Sequence, residues 1–313
     1  MEPTEKVLSD VHLTSQNTAV DGNTYTVSRL WFTLPPSKSI NVDDTEEING
    51  TGADEDGDLM LRRKTSKCKE IGDKGVLTIA HWMETELKDV GKQLWHGSLL
   101  LADYLIHVQE ELRNETVVEL GAGTGLASIV ASFFAKNVVC TDTGEDVLKL
   151  ADHNLDQNWN CLDPIKEKNF KVCQLDWVTE SPTSGTDKFT IKEEVSLINK
   201  ARIFIAGDVV YDDKLTIGFF NTIYKLLMNF PAKSLYISLE KRYIFTLEDK
   251  DVVAPAFDYF CECLEALMET TSNNGVEFHY KEIPVDFPQY FTYNRTKELI
   301  LYKIYTTFPN TST

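Results

Sequence analysis

The sequence predicts an α/β protein built on a doubly wound, mostly parallel sheet of seven strands, with helices on both faces. Two observations support this fold. From residue 117 onward, five short apolar runs alternate with helical patterns, and two further strands close the chain. The first of these runs also ends in glycines and leads directly into a helix. Because the two final strands form a hairpin, we expect the last strand to run antiparallel to the rest.

The glycine turn is the most informative local feature. An apolar strand at residues 117–120 stops at Gly121, and an apolar, Ala-rich helix is predicted at 126–135. Glycines accept positive φ and let a ligand approach the backbone, while the first N–H groups of the helix face that ligand. The glycines are spaced G-x-G-x-G, whereas the dinucleotide fingerprint needs a small residue where this chain has Leu126. The turn therefore predicts a cofactor site but gives no strong case for a pyrophosphate.

The other elements follow from hydrophobic periodicity. A strand at 76–79 precedes a helix with one apolar face that spans residues 94–112. Polar and aromatic loops are expected at 179–188 and 287–293, respectively. Further strands are predicted at 138–142, 170–175, 202–206, 234–239, 276–283 and 299–305, and further helices at 146–158, 215–228 and 251–268.

Three regions are expected. Residues 1–34 form an N-terminal extension in which strands at 7–13 and 25–32 make a hairpin. Residues 35–75 are first acidic and then basic, without aromatic residues, and are predicted to be a flexible linker. The basic cluster at 62–69 is compatible with a nuclear address or simply with a solvated linker. Residues 76–313 form the α/β domain.

Composition limits the partners. The 313 residues carry a formal net charge of −18, which disfavours nucleic-acid binding and favours a basic protein segment. The six cysteines contain no C-x-x-C pair, so free thiols in a reducing compartment are expected, and no metal site is predicted. The sequence shows no signal core or membrane-length apolar run. We expect an intracellular protein of the nucleus or cytoplasm that is neither secreted nor membrane-bound.

Acidic and aromatic residues end the predicted strands, where ligands of open α/β sheets bind. Acids at these positions also cap helices, which is the competing explanation for any single one of them. The strand-end residues are Glu119 and Gly121, Asp142, Asp176 with Trp177, Ala206 followed by Asp208 and Tyr211, and Glu240.

Three of these motifs resemble one family. Glu-Leu-Gly-Ala-Gly-Thr-Gly at 119–125, Leu-Asp-Trp at 175–177 and Asp-x-x-Tyr at 208–211 are similar to the seven-strand protein lysine methyltransferases, also called methyltransferase family sixteen. The resemblance covers residues 76–306 and implies a Rossmann-like sheet that binds S-adenosylmethionine. It places the cofactor at Trp95, Gly121, Ala122, Gly123, Asp142, Trp177 and Ala206, and catalysis at Asp208 and Tyr211.

The shape of S-adenosylmethionine suggests individual roles. Asp142 is placed to accept from the ribose hydroxyls, and Asp176 with Trp177 to hold the adenine. Trp95 would close over the amino-acid end, and Glu119 is counted with the cofactor residues. Asp208 would hold an incoming lysine ammonium that Tyr211 faces by cation–π attraction. An apolar site lowers a lysine pKa while Asp208 raises it, so removal of the lysine proton stays unassigned.

Other functions remain open. The fold is also compatible with a catalytically silent binding module or with a small-molecule methyltransferase. Leu126 argues against a nicotinamide oxidoreductase. Nucleic-acid methylation fits poorly with the net charge and with Val209-Val210, where amino-methylating DNA enzymes carry prolines.

Overall fold

The computed structural model describes residues 6–11, 16–20, 23–35, 74–163, 165–179, 194–246, 251–270 and 275–308. Its strands are β1 (Lys6–Leu8), β2 (Gln16–Val20), β3 (Asn23–Thr33), β4 (Lys74–His81), β5 (Glu84–Glu86), β6 (Thr116–Leu120), β7 (Asn137–Asp142), β8 (Phe170–Gln174), β9 (Ile203–Gly207), β10 (Ser234–Glu240), β11 (Ile244–Thr246), β12 (Asp251–Val253), β13 (Glu277–Ile283) and β14 (Leu299–Thr307). Its α-helices are α1 (His96–His107), α2 (Gln109–Leu112), α3 (Leu126–Phe134), α4 (Glu145–Asn158), α5 (Glu194–Lys200), α6 (Asp213–Leu227) and α7 (Pro255–Glu269), and a 3-10 helix spans Leu87–Lys92.

The central sheet has seven strands in the order β13-β14-β10-β9-β6-β7-β8. Strands β6 to β10 pair in parallel, while β14 is antiparallel to both of its neighbours. The predicted seven-stranded sheet with an antiparallel last strand is therefore confirmed. The chain runs outward from β6 through β7 to β8 and then returns to β9 on the other side of β6. This reversal opens a crevice at the carboxyl ends of β6 and β9, where open α/β sheets bind ligands.

Helices cover both faces of the sheet, as predicted. Successive residues of β6 point to opposite sides, so Val117 joins one apolar cluster and Val118 the other. The first cluster includes Leu101 of α1 and Leu155 of α4. The second includes Phe219 of α6, together with α5 and α7 residues. Burial on both faces explains why the parallel strands have continuous apolar sequences rather than alternating ones.

The N-terminal extension differs from its prediction. A hairpin does form, but β3 pairs with β2 rather than with the segment around residue 7. Lys6–Leu8 pairs instead with β5, about eighty residues downstream, which local periodicity does not reveal. Strand β3 also pairs along β4, and two asparagines of α4, Asn154 and Asn158, bond to the β4 backbone at distances of 2.8–2.9 Å. Most of the predicted linker lies outside the described residues.

Three smaller predictions need correction. The helix predicted at 251–268 begins only at Pro255, because residues 251–253 pair with β11 and proline suits the first helical turn. The stretch predicted as one helix to residue 112 divides at Val108 into α1 and α2. The short helix α5 was not predicted.

The five cysteines that the structure describes are free thiols. Within the described residues, every helix is too short or too polar to cross a bilayer.

Candidate active site

An open cleft lies at the carboxyl ends of β6, β7 and β9. It brings together most of the predicted site residues although they are spread over more than a hundred positions of the sequence. Those that line it are Trp95, Gly121, Ala122, Gly123, Asp142, Asp176, Trp177, Asp208 and Tyr211. Glu119 and Ala206 are buried beside it and do not line it.

The glycine turn forms the floor of the cleft. Gly121 and Gly123 have φ values of +70° and +54°, which disfavour a residue with a Cβ atom. A Cβ atom on Gly123 would lie 2.7 Å from the carbonyl oxygen of Gly91, and one on Gly121 would lie 2.8 Å from the Trp177 ring. The 3-10 helix and the indole thus press against the turn. The turn can pack this closely against the 3-10 helix and the indole only because Cβ atoms are absent.

Asp142 is fixed at the end of β7. Its Oδ2 accepts from the Gly123 N–H at 2.7 Å and its Oδ1 accepts from the Thr143 N–H at 2.6 Å. Burial raises the pKa of this carboxyl to about 6, against the lowering effect of the two hydrogen bonds. Each oxygen retains a further lone pair, so the carboxylate can also accept from a hydroxyl in the cleft. This geometry fits a ribose.

Asp176 and Trp177 behave differently from one another. The Asp176 carboxylate accepts from the Val178 N–H and the Thr179 hydroxyl, both at 2.8 Å, so it closes a turn. Burial raises the pKa of Asp176, but these hydrogen bonds outweigh it and leave the pKa lowered. The Trp177 ring packs edge-on against Phe219 with centroids 5.2 Å apart, and it lines the cleft as an apolar wall.

Glu119 supports the turn from below. Its Oε2 accepts from the Ser128 N–H at 2.7 Å, in the first turn of α3, whose N-cap Gly125 has no side chain to do this. Burial raises the pKa of Glu119 to about 8. Glu119 therefore caps helix α3 beneath the glycines. At the end of β9, Gly207 lines the cleft and the preceding residue, Ala206, does not.

Asp208 sits between the cleft and α1. Its side chain is only 3% exposed and φ is +58°. The Gly97 N–H donates to Oδ2 at 3.1 Å, and the Glu240 N–H donates to Oδ1 at 3.3 Å. The Arg242 guanidinium donates to Oδ2 at 3.2 Å. Burial raises the pKa of Asp208, while Arg242 opposes that rise. The carboxylate predicted to hold a substrate ammonium already holds a cation of the protein.

Arg242 lines the cleft, although the sequence analysis gave it no role. Its guanidinium lies 4.6 Å from the centre of the Trp95 ring and pairs with Asp10 at 3.4 Å and with Glu240 at 3.7 Å. The only sequence feature that pointed to Arg242 was the charged segment Glu240-Lys241-Arg242 at the end of β10. Asp10 had none, because 232 positions separate it from Arg242. Asp10, His96 and Glu240 also have ligand-type atoms within 4.8 Å of one another, but both carboxylates already pair with Arg242.

Tyr211 lies at the mouth of the cleft and is 36% exposed. Burial of its hydroxyl, with Asp142 and Asp212 nearby, raises its pKa to about 12. The phenol is therefore protonated at neutral pH. It can donate a hydrogen bond or present its ring to a cation, but it does not accept the proton of a lysine.

The fold and this cleft define a class of protein. A protein-family model described as lysine methyltransferase matches residues 73–252, more than half of the chain. The chain belongs to the lysine methyltransferase family. This match confirms the predicted family.

Individual relatives agree with that assignment. The chain is 38% identical to methyltransferase-like protein 22 of Mus musculus over 256 residues, covering 80% of this chain and 64% of the relative. It is 40% identical to methyltransferase-like protein 22 of Homo sapiens over 233 residues, covering 73% and 57%, respectively. The chain thus spans about three fifths of the length of these two relatives. A TehB-like SAM-dependent methyltransferase from Corynebacterium glutamicum aligns at 13% identity with a TM-score of 0.38, covering 68% of this chain and 88% of that one.

Proposed function

We propose that this protein transfers a methyl group from S-adenosylmethionine to the ε-amine of a lysine on a partner protein. The observation that carries the proposal is the single cleft shared by two groups of residues. The glycine turn and Asp142 lie in its floor, and Asp208, Tyr211 and Arg242 line it as well. Family membership supports both the methyl donor and the lysine acceptor.

The donor-binding roles follow from the shapes of the walls. The backbone around Gly121 to Gly123 lines the cleft and suits the amino-acid end of the donor, and Asp142 suits its ribose. The Trp177 ring offers a flat surface for the adenine, and Trp95 closes the side nearest Arg242. When bound, the donor supplies an electrophilic methyl carbon on a sulfonium.

Transfer requires alignment above all. The lysine nitrogen forms a bond to the methyl carbon as the carbon–sulfur bond breaks, S-adenosylhomocysteine leaves, and one proton leaves the amine. Because no oxyanion develops, positioning supplies most of the rate. Asp208 contributes by holding Arg242 and the first turn of α1 in place, and its negative charge lies behind the acceptor side of the cleft. Tyr211 lies where its ring can face the amine.

The residues that follow Arg242 favour a protein acceptor over a small molecule. Directly after Arg242, the side chains of Tyr243, Ile244 and Phe245 are 54%, 51% and 62% exposed. They belong to the start of the β11–β12 hairpin and form a run of large apolar side chains. Exposed runs of this kind mark surfaces that another macromolecule covers. The small-molecule alternative gives no reason for such a surface.

We extend the proposal in three respects. The acceptor is a basic protein segment, which the net charge of −18 and the carboxylates of Asp10 and Glu240 at the site support. The enzyme works in the nucleus or cytoplasm, without contact to membrane or nucleic acid. Residues 76–313 form the methyltransferase domain, preceded by an extension at 1–34 and a linker at 35–75, as the change in composition suggests.

The test is incubation with tritiated S-adenosylmethionine and an extract of cells that lack this protein. We expect label in a discrete protein band, and mass spectrometry should locate it as methyl-lysine. The Asp208→Asn protein serves as the inactive control. Binding of S-adenosylhomocysteine without any labelled protein would establish the silent binding module instead. Label confined to the small-molecule fraction would establish a small-molecule methyltransferase.

A further inference from the structure

Residues 6–11, which we call the N-terminal strap, lie outside the residues matched by the family model and yet contact the cleft. Lys6–Leu8 pairs with β5, immediately before the 3-10 helix that packs on the glycine turn. The Ser9 N–H donates to the Met83 carbonyl at 2.9 Å, and the Ser9 hydroxyl donates to the Leu94 carbonyl at 2.9 Å. Ser9 is 1% exposed, and Val11 is buried in the core. The strap is therefore built into the domain rather than laid over it.

The strap reaches the cleft through Val7 and Gln93. Val7 itself lines the cleft. Its carbonyl accepts from the side-chain amide of Gln93 at 2.8 Å, and Gln93 also lines the cleft while being only 2% exposed. Gln93 stands two residues before Trp95. The strap thus determines the conformation of the segment that carries the proposed wall at the amino-acid end of the donor.

Asp10 adds a second connection, through charge. Its Oδ2 accepts from the His96 N–H at 3.2 Å, at the first residue of α1, where the N-cap Trp95 offers no side-chain acceptor. The same oxygen pairs with Arg242, whose guanidinium covers the Trp95 ring. Asp10 and Asp208 therefore cap the same helix end and share the same arginine. Together they hold Trp95 between α1 and Arg242.

We propose that the strap is a wall of the donor site and that its docking is coupled to donor binding, with Ser9 and Asp10 as positioning residues. The proposal rests on the proposed function for the identity of the donor. Coupling of this kind is reciprocal: if the docked strap favours the donor, the bound donor favours the docked strap. Both directions can be measured without the protein acceptor.

The first experiment is calorimetry of S-adenosylhomocysteine binding to the full chain and to Ser9→Ala, Asp10→Asn and the double variant. Ser9→Ala removes the hydrogen bond to the Leu94 carbonyl, and Asp10→Asn removes the charge that pairs with Arg242. Affinity should therefore fall severalfold in each single variant and about tenfold or more in the double variant. Lys6→Ala is the matched control. Its ion pair with Glu84 is on the same strap but solvent-exposed, and its affinity should equal that of the unchanged chain.

A second ligand separates positioning from general weakening. 5′-Methylthioadenosine has no amino-acid end, so the Asp10→Asn and Ser9→Ala changes should reduce its affinity much less than that of S-adenosylhomocysteine. Equal losses for both ligands would overturn the positioning roles, as would unchanged affinity for S-adenosylhomocysteine. Hydrogen exchange supplies the reverse measurement. The peptide that contains residues 6–11 should exchange more slowly with S-adenosylhomocysteine bound, and an unchanged rate would contradict the coupling.

These results are distinguishable from failure of the proposed function. If the unchanged chain does not bind S-adenosylhomocysteine at all, the donor assignment fails. If it binds normally but the double variant binds equally well, only the strap proposal fails. If the strap is coupled to donor binding but no protein is methylated, the strap proposal stands and the proposed enzymatic function fails.

Discussion

The two sides of the cleft are built in different ways. The donor side consists of backbone and short side chains at the ends of β6, β7 and β8, within about sixty consecutive residues. Its contacts, such as that of Asp142 with Gly123, are local and leave lone pairs and backbone groups for a ligand. The acceptor side assembles Asp10, Asp208 and Arg242 from distant parts of the chain, and both carboxylates pair with the same guanidinium.

This difference separates two kinds of preorganisation. On the donor side, glycines let the 3-10 helix and the Trp177 ring pack against the turn, so any added atom should displace the walls of the donor site. On the acceptor side, a charge network holds α1 and Trp95, so a change there should disturb geometry before it disturbs binding. The following predictions test that distinction, from the largest expected effect to the smallest.

Gly123→Ala should affect donor binding most. The new methyl would lie 2.7 Å from the Gly91 carbonyl oxygen at a φ of +54°, so strain and overlap combine. We expect S-adenosylhomocysteine affinity to fall by about a hundredfold or more, equivalent to ~3 kcal/mol. Calorimetry measures it. Gly144→Ala is the matched control, since φ is +88° there but nothing lies within 4 Å of the added atom. Similar losses in both variants would contradict the cradle.

Asp208→Asn should separate catalysis from binding. The amide keeps the size of the side chain but removes the charge that holds Arg242 at 3.2 Å. Because misplacement by about an ångström costs up to roughly a hundredfold in rate, we expect turnover to fall by about that factor. S-Adenosylhomocysteine affinity should fall far less, by no more than the severalfold loss expected for Asp10→Asn, because both carboxylates pair with the same arginine. Asp212→Asn is the control: asparagine also accepts from the Leu215 N–H at the start of α6, so turnover should be unchanged. Near-normal turnover of Asp208→Asn would remove Asp208 from the mechanism.

The same contrast explains how far the sequence could be interpreted. The sheet and the donor side were predictable because each residue lies at the end of its own strand, where periodicity and the glycine spacing locate it. Arg242 with Asp10 was not, because their contact joins residues 232 positions apart through tertiary packing alone. The role of Glu119 was also hidden. Its sequence position beside the glycines suggested a ligand contact, whereas it caps α3 because Gly125 cannot.

Donor binding should depend on pH through Asp142. Its pKa is about 6 in the folded protein, and only the ionised carboxylate accepts from both ribose hydroxyls while retaining its backbone hydrogen bonds. S-Adenosylhomocysteine affinity should therefore rise between about pH 5 and pH 7, as Asp142 loses its proton. Asp142→Asn should bind about tenfold more weakly at pH 8, the scale of a charged hydrogen bond. Its affinity should also lack the rise near pH 6. An identical pH dependence in both proteins would assign that titration to another group.

Phe245→Ser tests the outermost part of the acceptor side. Phe245 is 62% exposed and follows the cleft residue Arg242 by three positions, and the change removes apolar area that a protein acceptor would cover. We expect KM for the labelled acceptor protein to rise about fivefold, while kcat and S-adenosylhomocysteine affinity stay unchanged. Phe230→Ser makes the same exchange at a residue that is 77% exposed. Phe230 precedes β10, at the amino-terminal end of that strand, whereas Arg242 follows its carboxyl end, so this control should leave KM unaltered. If both variants behaved alike, the hairpin would have no part in recognising the acceptor. A fall in kcat with constant KM would instead show that Phe245 acts on the alignment of the reactants and not on binding of the acceptor.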